Sequence, residues 1–264
     1  MPSIERARKP LRQIPGGPAG RSGEAGGVEE LLSRLRAARS VFVLTGSGIS
    51  SDSGLPTFRG AGGLWRDERV EELASPEGFA RDPVLVWTWY NERNAAHRRA
   101  NPSAGHYALA ALEDRVPDFT LATQNVDSLH KRAGSRNLLE LHGNLREARC
   151  TGCSQRRTLD ALGLPLSEIE HACGGRMRPD IVWFGEALPR DAWEAATAAA
   201  ARADVILVVG TSAVVYPAAA LATHYNAGAF VAEINPEATA ISERVDCALR
   251  GTAAGVLPSI VQSL

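Results

Sequence analysis

The chain has 264 residues, of which 44% are hydrophobic and 22% are charged, and these values are ordinary for a globular protein of one or two domains. A formal net charge of −1 provides no bulk positive field for nucleic acid, and no apolar run is long enough to span a bilayer. Composition therefore argues against nucleic-acid and membrane partners. The size and the cysteine usage favour a reducing compartment, which predicts a cytoplasmic protein.

The N-terminal segment divides into two parts. Residues 1–27 are rich in Arg, Pro and Gly and show no apolar periodicity, which predicts a disordered leader. Residues 28–39 place Val28, Leu31 and Leu35 on one face, which predicts a helix.

A buried strand and a glycine loop follow this helix. The run Val-Phe-Val-Leu at 41–44 predicts a strand inside a parallel sheet. Gly46 and Gly48 then allow positive φ and close backbone approach to a ligand, and the residues after them can begin a helix whose N–H groups face a phosphate. Ser51 replaces the third glycine of the dinucleotide fingerprint, so this loop alone indicates a nucleotide site no better than a plain strand–turn–helix corner.

Further apolar runs predict more strands, separated by helical stretches such as 191–201. The strands are predicted at 119–123, 181–184, 203–212 and 230–235, with a candidate sixth at 245–249. This alternation indicates an α/β fold with a doubly wound, Rossmann-like parallel sheet, in which ligands bind beyond the carboxyl ends of the strands. Polar motifs follow most of these strands directly.

Five short motifs carry a family resemblance. They are Gly46–Ser50, Gly54–Gly60, Thr123–Asp127, Leu141–Gly143 and Gly210–Ser212. In this order and spacing they resemble the sirtuin family of NAD-dependent protein deacylases, over nearly all of residues 28–264. The resemblance implies a large Rossmann-like part and a small inserted domain, zinc-ribbon-like and helical. We expect the large part at about 28–63, 100–144 and 181–264, and the insert at about 64–99 and 145–180.

His142 is the predicted catalytic base. Imidazole titrates near neutral pH and suits proton abstraction from a sugar hydroxyl. An isolated histidine at such a place is more often structural, but the resemblance to the sirtuin Leu-His-Gly motif favours catalysis.

The loop at 124–127 offers amide and carboxylate groups to a ribose, although Asn125 and Asp127 could equally form a simple Asx turn. By resemblance, Asn125 and Asp127 lie at the nicotinamide-ribose pocket and Gln124 lies on the ribose side of NAD. Ser128 stands where the family usually has Gly, and we expect this small side chain to be tolerated.

The resemblance extends the NAD-binding residues to other loops. They are Gly46, Ser47, Gly48, Ile49, Ser50, Phe58, Arg59, Trp65, Val126, Gly210, Thr211, Ser212, Asn235, Pro236, Glu237 and Ala253. Arg59 in particular offers a planar donor fork for phosphate or carboxylate.

Tyr90 and Arg93 are the informative pair for substrate. At spacing i, i+3 they share a helix face, and a phenol beside a guanidinium makes a carboxylate receptor. A solvated arginine on an amphipathic helix is the plain alternative. Within sirtuins the pair resembles the class that removes succinyl and malonyl groups as well as acetyl. Val182, Phe184 and Gly185 are expected to bind the substrate peptide.

Cys150 and Cys153 form a C-x₂-C knuckle, and Cys173 follows. Four thiolates would complete a structural zinc site, but Glu170 occupies the mirrored position. The zinc site is therefore completed by His171 as Cys₃His, or weakened, or lost with the module held by packing alone. Cys247 falls in a predicted strand and is expected in the core.

The resemblance implies an enzyme that consumes NAD to deacylate lysine side chains of proteins. The acyl oxygen would attack C1′ of the nicotinamide ribose, His142 would deprotonate a ribose hydroxyl, and water would release lysine and O-acyl-ADP-ribose. We expect a monomer. The alternatives are mono-ADP-ribosyl transfer, a nicotinamide-dependent dehydrogenase, and a non-catalytic module that senses NAD.

Overall fold

The computed structural model describes residues 24–57, 64–65, 68–223 and 228–264. Residues 1–23 of the predicted leader lie outside the described residues, whereas residues 24–27 are described. The first helix begins at Glu24 and includes Gly26 and Gly27, although glycine weakens helices. A Cβ on Gly27 would lie 3.0 Å from Cys247 Sγ, so the small residue allows the helix to pack closely on the sheet.

The described elements are as follows. The strands are β1 (Ser40–Thr45), β2 (Leu64–Trp65), β3 (Glu68–Arg69), β4 (Asp118–Thr123), β5 (Leu138–Glu140), β6 (Gly143–Cys150), β7 (Arg156–Thr158), β8 (Met177–Ile181), β9 (Val205–Val209), β10 (Phe230–Ile234) and β11 (Cys247–Leu249). The α-helices are α1 (Glu24–Ala37), α2 (Val70–Leu73), α3 (Pro76–Arg81), α4 (Pro83–Arg99), α5 (Ala104–Glu113), α6 (Leu129–Arg132), α7 (Arg190–Arg202) and α8 (Ala253–Gln262). Three short 3₁₀ helices lie at Ser47–Ser53, Leu166–Glu168 and Ala218–Ala222.

Six parallel strands form the main sheet in the order β11-β10-β9-β1-β4-β5. In chain order this is the doubly wound arrangement, with the two halves diverging from β1 and β9. The predicted α/β class and the Rossmann-like sheet are therefore confirmed. The strand order reverses between β1 and β9, and such a switch point leaves a crevice at the carboxyl ends of the two strands.

Both faces of the main sheet are covered, as the continuous apolar runs predict. Alternate residues of β1 point to opposite sides, so Val41 and Val43 pack with α1, α5 and α8, whereas Phe42 and Leu44 pack with α7. Cys247 is buried in the first of these layers, as expected for a core residue.

A third core cluster joins α2, α3 and α4 to a small antiparallel sheet of order β7-β6-β8. The prediction of a third strand of the main sheet at 181–184 was wrong. Ile181 ends β8 in the small sheet, and Ile181 and Trp183 pack in this third cluster. Their apolar run is explained by burial in the small core, which periodicity cannot distinguish from burial in the main sheet.

None of the described helices combines the length and the apolar character needed to cross a membrane.

Candidate active site

The loops after β1 and β9 meet at the switch point of the sheet. The Gly48 N–H donates to the Gly210 carbonyl at 2.8 Å. A Cβ on Gly48 would lie 2.7 Å from the Gly210 carbonyl oxygen, and one on Gly210, which has φ +59°, would lie 2.4 Å from Ile49 N. Gly48 and Gly210 are therefore required because the two loops lie in direct contact. The sequence alone predicted only close approach of a ligand.

The helix expected after the glycine loop is a 3₁₀ helix of seven residues, Ser47–Ser53. It ends at Gly54, whose φ of +79° terminates it in the left-handed region. This short element buries Ser50 beneath the cleft, and Ser50 connects it to the loop after β4.

A buried hydrogen-bond network fixes the loop after β4. Asn125 Nδ2 donates to the Gly46 carbonyl at 3.1 Å and to Ser50 Oγ at 3.2 Å. Ser50 Oγ donates to Asp127 Oδ2 at 2.7 Å, and the Leu129 N–H donates to Asp127 Oδ1 at 2.9 Å. Burial raises the pKa of Asp127, and these two hydrogen bonds partly oppose that rise. Such bonds hold the amide and carboxylate in fixed positions at the cleft wall.

Ser128 has φ +64°, in the left-handed region. The glycine that the resemblance implies at this position is therefore explained by backbone conformation, because glycine adopts positive φ without strain. The small size of the side chain is not the main reason. Ser128 Oγ donates to Asn144 Oδ1 at 2.9 Å, which partly offsets the strain.

His142 lies between β5 and β6 at the wall of the cleft. Its Nδ1 lies 2.9 Å from the Gln124 carbonyl oxygen, which can only accept, so Nδ1 carries the proton and Nε2 has a free lone pair. Burial lowers the pKa of His142, although the hydrogen bond to Gln124 raises it in part. The imidazole is thus neutral near pH 7 and is held in the tautomer that a base requires.

A cleft of about 480 Å³ runs from the switch point to α4. Among the predicted residues, its lining includes Gly46, Ser47, Gly48, Ser50, Tyr90, Arg93, Gln124, Asn125, Val126, Asp127, His142, Val182, Phe184, Gly185, Gly210, Thr211, Ser212, Asn235 and Glu237. Ile49, Pro236 and Ala253 do not line it; Ile49 is buried, and Ala253 packs against Gly105. Phe58 and Arg59, and the side chain of Trp65, lie outside the described part of the chain.

One face of α4 forms the end of the cleft away from the switch point. Tyr90 is buried, and its Oη accepts a hydrogen bond from Trp183 Nε1 at 3.0 Å. The Arg93 guanidinium lies over the Trp89 ring at 5.1 Å and forms no ion pair with a described residue. Burial lowers the pKa of Arg93, which the nearby charge of Asp127 partly offsets. The structure thus places a partly buried cation, with no ion pair among the described residues, beside a phenol, as the i, i+3 spacing predicts.

Trp89, His97 and Trp183 are among the cleft residues that the sequence did not predict. His97 is four residues after Arg93 and therefore on the same helix face, a signal that was available in the sequence. Trp183 lies inside the stretch already considered for the peptide, but its contact with Tyr90 depends on the tertiary fold.

The cysteine cluster is completed by a histidine. The ligand atoms of Cys150, Cys153, His171 and Cys173 all lie within 4.8 Å of one another. Cys150 Sγ and Cys173 Sγ are 3.4 Å apart, and Cys153 Sγ is 3.8 Å from His171 Nδ1. Tetrahedral zinc with bonds of about 2.3 Å places its ligands roughly 3.7 Å apart, so the four residues fit a Cys₃His zinc site.

Comparisons with known proteins agree on the family. The sequence pattern of the Sir2 family matches residues 46–217. A protein of Pyrobaculum aerophilum named NAD-dependent protein deacylase 2 is 51% identical over 234 residues, covering 87% of this chain and 93% of that protein. An NAD-dependent protein deacylase of Thermus thermophilus is 51% identical over 228 residues, covering 84% and 89%.

Solved structures give the same result. A crystal structure of a Sir2 homologue in complex with NAD matches with a TM-score of 0.83 and 44% identity, covering 89% of this chain and 92% of that one. A structure of Sir2 with a p53 peptide and NAD⁺ matches with a TM-score of 0.76 and 30% identity, covering 89% and 97%.

Proposed function

This chain belongs to the Sir2 family, and on that premise we propose that it is an NAD-dependent protein-lysine deacylase that prefers acidic acyl groups such as succinyl and malonyl. The relatives named as deacylases support the activity. The acyl preference is carried by one observation, the partly buried Arg93 guanidinium beside Tyr90 with no carboxylate partner among the described residues.

NAD fits the polar crevice at the switch point. Gln124, Asn125 and Asp127 supply donors and acceptors for ribose hydroxyls, and the glycine loops bring backbone amides close to the cleft. When bound, NAD supplies a labile bond between nicotinamide and ribose and the sugar that receives the acyl group.

His142 has the geometry of the base. Its Nε2 accepts a proton from a ribose hydroxyl, and the Gln124 carbonyl stabilises the imidazolium that forms, because Nδ1–H then donates to it more strongly. The hydroxyl oxygen is thereby made nucleophilic toward the acyl carbon.

The end of the cleft next to α4, away from the NAD crevice, holds the acyl group. Trp89 and Trp183 supply apolar walls that exclude water from the acyl chain. Arg93 then pairs with the distal carboxylate through two parallel charge-assisted hydrogen bonds, and the low dielectric of the site strengthens them. An acetyl group reaches no such partner and binds more weakly.

The activity is tested by incubating the full chain with NAD and matched acetyl-, malonyl- and succinyl-lysine peptides. We expect free nicotinamide, deacylated peptide and O-acyl-ADP-ribose by mass, and a loss of about 10²- to 10⁴-fold in kcat for His142→Ala. Transfer of ADP-ribose to protein without deacylation, or full activity of His142→Ala, would contradict the proposal.

A further inference from the structure

A second cavity of about 290 Å³ adjoins the cleft and has no part in the proposed reaction. Val126 and Asp127 line both spaces, so this short segment forms part of the wall between them. His97 also lines both.

Three arginines from separate elements converge on this cavity, namely Arg98 of α4, Arg132 of α6 and Arg146 of β6. Arg98 donates to the Leu159 carbonyl and Arg132 Nη1 donates to the Ala100 carbonyl at 2.6 Å, but carbonyls do not neutralise a charge. The Arg146 guanidinium makes no hydrogen bond with any part of the chain that the structure describes. Within the same residues, none of the three has a carboxylate within ion-pair distance.

The charges on the cavity wall are unbalanced. Burial and the neighbouring charge of Arg146 lower the pKa of Arg98, and Asp160 offsets this in part. Among the described lining residues Asp127 is the one carboxylate, and each of its oxygens accepts one hydrogen bond from within the chain, from Ser50 and from the Leu129 N–H. A positive field therefore remains inside a small, partly enclosed space.

His97 provides an independent sign of a missing partner. The residue is buried, with an exposed fraction of 9%, and its Nδ1 has no hydrogen-bond partner within the described ranges. A buried polar atom without a partner costs about 1–3 kcal/mol, and native structures usually satisfy such atoms.

We propose that this second cavity binds a small dianion, a phosphate-like or short dicarboxylate species, between Arg98, Arg132 and Arg146. The volume lies at the lower end of ligand pockets, which suits a molecule of a few heavy atoms rather than a nucleotide. Guanidinium forks match oxyanion geometry, and a dianion balances the excess of three cations over one carboxylate. Its oxygen would also offer the His97 imidazole a partner. The site does not depend on the proposed deacylase activity.

The test is a calorimetric titration of inorganic phosphate into the full chain at constant ionic strength. We expect saturable binding, weakened about tenfold or more by Arg146→Gln, since one charge-assisted hydrogen bond is lost. The Arg146 guanidinium makes no hydrogen bond with a described residue, and its backbone bonds do not depend on the side chain, so this variant should fold normally. Arg146→Lys keeps the charge without the fork and should bind with intermediate affinity. Arg190→Gln, at an exposed pair with Glu194, is the control and should leave affinity unchanged.

Malonate is titrated in the Arg93→Met background, which removes the cation of the neighbouring cleft. Arg146-dependent binding of either anion supports the site and identifies phosphate or carboxylate as the better ligand. No saturable binding of either anion overturns the proposal, as does an equal loss of affinity in Arg146→Gln and Arg190→Gln.

Discussion

The proposed role of His142 depends on one hydrogen bond. The Leu-His-Gly motif identified the residue from the sequence, but its tautomer could not be predicted. Nδ1 is fixed by a backbone carbonyl eighteen residues earlier, at Gln124, and only the parallel pairing of β4 with β5 brings the two together. The motif therefore predicts the candidate base, whereas a tertiary contact determines which of its two ring nitrogens can accept a proton.

The pH dependence of kcat follows from this environment. Because burial lowers the pKa of His142 below the ordinary value of 6.5, the neutral base persists to mildly acidic pH. We expect kcat to fall as pH decreases, with a midpoint below 6.5, when deacylation is followed by mass spectrometry. A midpoint above the ordinary histidine value would contradict the assigned environment, and so would an unchanged profile in the residual activity of His142→Ala.

At the scale of elements, long segments were predicted better than short ones. Helix α7 and strands β1, β9 and β10 lie close to their predicted positions, because each carries a run of apolar residues. β5 was not predicted, since it has only three residues, none of them fully buried. The sequence predicted a helix after the glycine loop but not its 3₁₀ geometry, because the hydrogen bonds between the two glycine loops cannot be read from the sequence.

The contact between the two glycine loops can be tested with a matched pair of variants. Gly210→Ala combines positive φ with a Cβ 2.4 Å from Ile49 N, whereas Gly54→Ala has positive φ and open space. We expect Gly54→Ala to lower the free energy of unfolding by about 1–2 kcal/mol and Gly210→Ala by roughly 3 kcal/mol or more, measured by urea denaturation. Equal losses would mean that the loops relax freely.

Zinc binding is expected to stabilise the small sheet, since Cys150 ends β6 and Cys173 precedes β8. We predict about one zinc per chain by elemental analysis, and a lower thermal midpoint after chelation. Cys173→Ser should lose the metal, whereas Cys247→Ser, in the main sheet, should keep it. Purified protein that lacks zinc, or a Cys173→Ser variant with full content, would contradict this assignment.

At the scale of the whole molecule, the alternation of strands and helices predicted the fold class and the edge of the sheet that carries the cleft. The second cavity could not be predicted. Its arginines come from a helix, a short turn of helix and a strand, and no periodic pattern relates residues 98, 132 and 146. Sequence patterns report local burial, whereas a cavity depends on how separate elements meet.

Stability should depend on pH mainly through three buried histidines, and His142, whose pKa burial also lowers, acts in the same direction. Burial lowers the pKa of His97 to about 3 and of His106 to about 4, and it lowers that of His130 well below 6.5. Between pH 6.5 and 5 the unfolded chain therefore binds protons that the folded chain does not. Stability is full above pH 6.5 and falls by about 1.4 kcal/mol per histidine for each pH unit below it.

Urea unfolding at pH 7.5 and at pH near 5.5 measures this loss, and His106→Gln should reduce it by about one third. The carboxyls with raised pKa, Asp127 and Glu140, act in the opposite direction at lower pH. Constant stability across the window would show that these rings are hydrated or protonated in the folded state.

The most direct test of the whole account is the ratio of kcat/KM for succinyl-lysine over acetyl-lysine peptide, in the parent chain and in Arg93→Met. The account predicts a parent that favours succinyl and a variant whose succinyl kcat/KM falls by about 10- to 100-fold or more, because the charge-assisted bonds are lost, with the acetyl value nearly unchanged. A variant that processes succinyl peptide as well as the parent would contradict the account.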